Sequence, residues 1–166
     1  MRQNNYISSL KLMHPMTKAI EIIKLPRLSL LKAVEDLSIE QLNKIPAGFN
    51  NNIAWNLAHL IATQQNLCYK KAGINVLIEE RLFTPFLPGT KPDKFMDVAD
   101  MGIIKDIFLS SLDQLETDLQ SGKFTNYQPW TTRYGNSINN IDEAVAFLPY
   151  HEGIHTGYIW ALKRVI

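Results

Sequence analysis

Cysteine is almost missing from this chain: Cys68 stands alone among 166 residues. That excludes an internal disulfide framework and suits a reducing compartment. Apolar neighbours at helical spacing make Cys68 a core filler rather than a nucleophile. A dominant charge sign is missing too, since 17 basic and 16 acidic residues leave a net charge of +1. Without a basic run there is no electrostatic footprint for nucleic acid. No apolar run reaches the length of a membrane span, because charges interrupt every helical segment. The N-terminus shows no compact apolar stretch followed by a small-residue cleavage site. The expectation is a cytoplasmic protein that partners neither nucleic acid nor membrane. Internal repeats, heptads and low-complexity segments are absent as well.

What the chain has is an ordinary globular balance, 46% apolar and 20% charged, enough for one domain with its own core. Residues 1–15 read as an N-terminal arm, with His14 on its surface, and 16–166 as the domain. Four helical segments fill that domain. The first covers about 16–37, with Leu28, Leu31, Val34 and Leu37 at helical spacing and Pro26 expected to kink or restart it. A short element at Ser38–Leu42 carries a capping-box pattern in Ser38 and Gln41. The second long helix covers about 52–72, from an asparagine cluster to Gly73, and the third about 97–120, opened by Asp97. The fourth spans about 140–164, with Pro149 expected to kink it. Two long connections separate these helices, one containing Pro85, Pro88, Gly89 and Pro92, the other rich in Tyr and Trp. The predicted fold is all-α, a four-helix bundle with long crossover connections.

The last helix contains HEGIH, residues 151–155. His151 and His155 lie four apart, hence on one helical face, together with Ala144, Phe147, Leu148, Tyr158 and Leu162. That face should point inward, and buried imidazoles need partners. A third histidine, His59, occurs in WNLAHL on the second long helix. One divalent transition metal would satisfy all three imidazoles, which makes His59, His151 and His155 the candidate ligands. The HExxH pattern also suggests a metalloprotease with Glu152 as general base. Only eleven residues follow His155, too few for a further ligand helix, and Tyr158 and Ala161 stand where the extended motif needs glycine and histidine. Protease is the lesser reading.

The combination of IPAGFNNNIAWNLAHL, the GTKP connection and HEGIHTGYI resembles the DinB/YfiT-like superfamily, from about Thr17 to Arg164. The resemblance implies a four-helix bundle, often a homodimer. It implies zinc or nickel on three histidines matching His59, His151 and His155. Relatives of this kind are S-transferases or isomerases that use low-molecular-weight thiols such as bacillithiol or mycothiol. Tyr158 departs from the glutamine common at that position.

Three neutral ligands would leave a coordination position open, as catalytic metals require. The expected function is a thiol-dependent S-transferase acting on a small-molecule substrate, with the metal lowering the thiol's pKa. A metal-dependent hydrolase and a non-catalytic metal- or ligand-binding bundle are the alternatives. Glu152 reads either as a group that orients a ligand or moves a proton, or as a solvated helix charge. Trp55, Asn56, Trp130, Arg133, Tyr134 and Tyr150 are further pocket candidates, Arg133 as a clamp for a substrate carboxylate. None of these is assigned a catalytic role.

Overall fold

The computed structural model describes residues 15–166. The arm expected at 1–15, with His14, lies outside the described residues apart from Pro15, which opens the first helix. The elements are α1 (Pro15–Ala33), α2 (Ile39–Asn43), α3 (Ile53–Cys68), α4 (Val98–Gln120), β1 (Trp130–Thr131), β2 (Ser137–Ile138) and α5 (Ile141–Lys163). Three single turns of 3-10 helix punctuate the connection between α3 and α4. The fold is the expected all-α bundle.

Side-chain caps fix where the helices begin. Asn52, Asp97 and Asn140 each accept a hydrogen bond from the backbone N–H three residues on, at Trp55, Asp100 and Glu143. The Ser38–Gln41 capping box forms as read from the sequence. Gly73 ends the turn after α3 with φ of 71°, a left-handed setting that glycine adopts without penalty.

Helices α1 and α3 each pack against both α4 and α5, so the four long helices alternate around one core. The connection after α3 folds over that helix and buries Leu82, Phe83 and Phe86 against it. Covered on every side, α3 buries all its residues except Asn66.

Pro26 lies inside α1, which continues through it rather than restarting. Two sequence expectations need correction. The buried stripe of α1 is set differently from the sequence reading: Ile20, Ile23, Arg27 and Leu30 are all fully buried, as is Val34 just beyond the helix, while Leu28 is exposed. A charged residue at a core position hid this register. Finally, the aromatic connection before α5 is not wholly irregular. It contains a two-stranded antiparallel hairpin pairing Trp130 with Ile138 and Thr131 with Ser137.

Candidate metal centre

His59 comes from the middle of α3, and His151 and His155 from successive turns of α5, which packs beside it. The ring centroids of His59 lie 5.1 Å from His151 and 4.5 Å from His155, and those of His151 and His155 are 4.6 Å apart. His59 is buried and the other two are half-buried, so the cluster sits at the edge of the core. Trp55, one turn before His59, stacks on its ring at 4.5 Å and 13°.

Hydrogen bonds define which nitrogens are available. His59 Nδ1 lies 2.6 Å from the Phe86 carbonyl oxygen. That oxygen can only accept, so Nδ1 carries the proton and Nε2 is left with a lone pair. The Thr63 hydroxyl stands 3.3 Å from this Nε2. His155 repeats the arrangement, its Nδ1 lying 2.8 Å from Asn56 Oδ1. Asn56 is itself oriented by donating through Nδ2 to the Asn52 carbonyl at 2.7 Å. Such partners orient imidazoles that bind a metal through Nε2. His151 differs: its Nδ1 is buried with no hydrogen-bond partner.

The ligand atoms these three residues offer lie within 4.8 Å of one another. Three imidazoles this close, one with an orphaned buried nitrogen, are a donor set that could hold a divalent transition metal. Burial, with the neighbouring imidazoles and Arg133 adding to it, pushes His151 down to about 2. Burial, with His59 and Arg133 adding to it, brings His155 to about 3, and burial lowers His59. All three rings are therefore neutral near pH 7, and a cation would displace no proton from them.

Glu152 is neither a solvated charge nor free to act at the site. It is buried in the core, where its carboxylate meets the guanidinium of Arg27, Nε lying 3.2 and 3.1 Å from its two oxygens. Both residues are buried, Arg27 completely. Arg27 also donates to the carbonyl oxygens of Phe108 at 2.7 Å and Leu60 at 3.3 Å, and to Ser111 Oγ at 3.3 Å. One guanidinium thus links α1, α3, α4 and α5. Sequence reading missed Arg27, although its place at helical spacing between Ile23 and Leu30 was a usable signal.

The DinB superfamily model matches residues 26–159, which takes in all three histidines and the Arg27–Glu152 pair. The chain belongs to the DinB superfamily. No curated protein matches it.

The remaining candidates of this DinB-superfamily protein divide into two groups. Asn56 and Trp55 join the cluster directly, through the contacts to His155 and His59. Trp130, Tyr134 and Tyr150 belong instead to the contact between the hairpin and α5. Trp130 packs edge-on to Phe147 at 5.9 Å, and Tyr134 edge-on to Tyr150 at 5.7 Å. Between the hairpin and α5 is a hollow of about 680 Å³ lined by Tyr134, Ile138, Phe147 and Tyr150 among others. Tyr158 packs edge-on to Phe49 at 5.5 Å, so it supports the wall of the bundle. Cys68 is fully buried and its thiol is pushed up to about 12, which removes it as a nucleophile.

Proposed function

We propose that His59, His151 and His155 hold zinc or nickel, and that the protein is a thiol-dependent S-transferase acting on a small electrophile. The observation that supports the metal reading is that one ligand atom from each of the three imidazoles lies within 4.8 Å of the others, with the Nδ1 atoms of His59 and His155 engaged elsewhere and the buried Nδ1 of His151 without a partner. A bound divalent cation supplies the positive charge that makes a thiol acidic enough to react near neutral pH. The chain's residues do the rest. Phe86 and Asn56 hold the ring orientations, Trp55 covers one side, and the half-buried His151 and His155 leave the cluster reachable from outside. Among the described residues no Cys, Asp or Glu joins the three histidines, which supports an open position.

Hydrolysis is the weaker reading because its one candidate base, Glu152, is committed to Arg27. A purely structural metal is disfavoured by the same three-ligand set. Among the described residues no helix is long and apolar enough to cross a membrane. A reducing cytoplasm, where small thiols are abundant, is the setting that this reading implies. Ile22, Leu25 and Leu28 form an exposed apolar row on α1, the surface on which a homodimer would form.

Metal content of protein purified without added metal or a histidine tag tests the proposal, beside a His151→Ala/His155→Ala variant. About one zinc or nickel per chain, lost in the variant, is the expected result. No metal in the parent, and no thermal shift on adding either ion, would overturn it. Screening the loaded protein for consumption of small thiols with electrophiles then separates transferase from binding protein.

A further inference from the structure

The hollow between the β1–β2 hairpin and α5 is a concave site of its own. None of the three histidines lines it, and neither does Arg133, which sits exposed on the hairpin turn. Its volume of about 680 Å³ suits a small organic ligand. The lining combines three aromatic side chains, Tyr134, Phe147 and Tyr150, with one charged group, the carboxylate of Glu143.

The rings are arranged to present their faces. Tyr134 and Tyr150 meet at 5.7 Å and 85°, and Phe147 tilts against Tyr150 at 5.7 Å and 46°. Two rings at right angles form a corner in which both can turn a face toward one guest. Aromatic faces are negative and attract a cation rather than an anion. Both tyrosines are exposed, and among the described residues no lysine or arginine lies over any of the three rings. The turn that carries Tyr134 is fixed by the buried Thr132, whose Oγ1 accepts from the N–H groups of Tyr134 at 3.3 Å and Asn136 at 3.2 Å.

The carboxylate is held in place by neutral donors. Glu143 Oε2 accepts from the backbone N–H of Asn139 at 2.7 Å and from its Nδ2 at 3.1 Å, and Oε1 from Asn140 Nδ2 at 3.3 Å. These contacts help to cap α5, but they leave the negative charge uncancelled. Among the described residues Glu143 has no ion-pair partner.

We propose that this hollow is a recognition site for a small organic ammonium ion, its cationic head against the faces of Tyr134 and Tyr150 and its charge balanced by Glu143. Desolvated aromatic faces hold an alkylated ammonium well, because it gives up less hydration than a bare cation and fills the corner with methyl groups. The assignment is independent of the metal reading.

Choline and 3,3-dimethylbutan-1-ol are matched in shape and differ in charge. Titrated into ¹⁵N-labelled metal-free protein, choline is expected to bind about tenfold more tightly, with saturable shifts at Tyr134 and Tyr150. Glu143→Gln keeps an acceptor for the cap and should lower that preference several-fold. Tyr150→Leu should bring it near one, and Tyr150→Phe should keep it, since the ring face rather than the hydroxyl is used. Should Tyr150→Leu fail to fold, Tyr134→Leu carries the same expectation. Absence of a saturable choline shift in the parent, or equal affinity for the two probes, overturns the assignment. So does a choline preference that survives both Glu143→Gln and the leucine variant.

Discussion

Glu152 and His151 are consecutive residues on one helix, yet their surroundings are opposites. Glu152 is buried against a guanidinium that satisfies its carboxylate and ties four helices together. His151 sits half-buried with an orphaned Nδ1 and two further imidazoles within about 5 Å. Burying an ion pair is tolerable when its hydrogen bonds are complete, and burying a polar nitrogen with none is costly. A fold that completes one cluster and leaves its neighbour incomplete has one polar site serving structure and another whose donors could hold a metal ion. The HExxH spacing alone would have joined them into a single catalytic motif.

The comparison is broken most directly at the ion pair. Glu152→Ala leaves the Arg27 charge buried and unpaired, which should cost about 3–5 kcal/mol and put the domain close to unfolding. Arg27→Met/Glu152→Leu removes both charges and should recover most of that loss in urea melts. A Glu152→Ala protein of parental stability would show that the pair is not structural and return Glu152 to the list of catalytic candidates. At the histidine cluster the expectation is reversed. Zinc or nickel at a hundred times its Kd should stabilise the parent by about 2.7 kcal/mol, raising Tm by roughly 5–10 °C. His151→Ala/His155→Ala should melt at the same temperature with and without metal.

The helix starts were legible because caps are local: Asn52, Asp97 and Asn140 act through backbone groups within a few residues, whereas α1 and α3 end about four residues earlier than read, at Ala33 and Cys68. The histidine trio was legible for a different reason. Imidazoles in apolar helices are hard to explain singly, and bundle geometry allows three to meet. Arg27 and the role of Glu152 were not legible, since both depend on which residues of distant helices face each other. An arginine on a leucine-rich helix reads as its solvent side until Phe108, Leu60 and Glu152 are seen to surround it. The hairpin also escaped notice, because two-residue strands give no periodicity.

Orientation of the rings can be tested without removing a ligand. Asn56→Ala takes away the acceptor that fixes His155 Nδ1. Metal affinity should fall by about 10–100-fold, measured by competition with a chelator, while all three imidazoles remain. Unchanged affinity would mean that His155 needs no orienting partner and would weaken the case that the fold prepares this cluster for a ligand.

The dependence on pH separates the two clusters without mutating the ion pair. In the folded, metal-free protein His151 and His155 titrate near 2 and 3, well below the unfolded value of about 6.5. Above that value neither state binds a proton, and the contribution to stability is complete. As the pH falls below it, the unfolded chain takes up protons that the folded rings refuse, so stability is lost progressively toward the folded values. Each such imidazole should cost about 1.4 kcal/mol per pH unit once the unfolded group is protonated. Urea midpoints between pH 7.5 and pH 5 should therefore slope downward in the parent and less steeply in His151→Ala. Adding zinc should raise the curve at neutral pH and steepen it in acid, because protons then compete with the metal for the same nitrogens. A parental slope matching that of the variant would show His151 to be as freely protonated in the fold as in the unfolded chain, and the orphaned nitrogen would no longer point to a ligand.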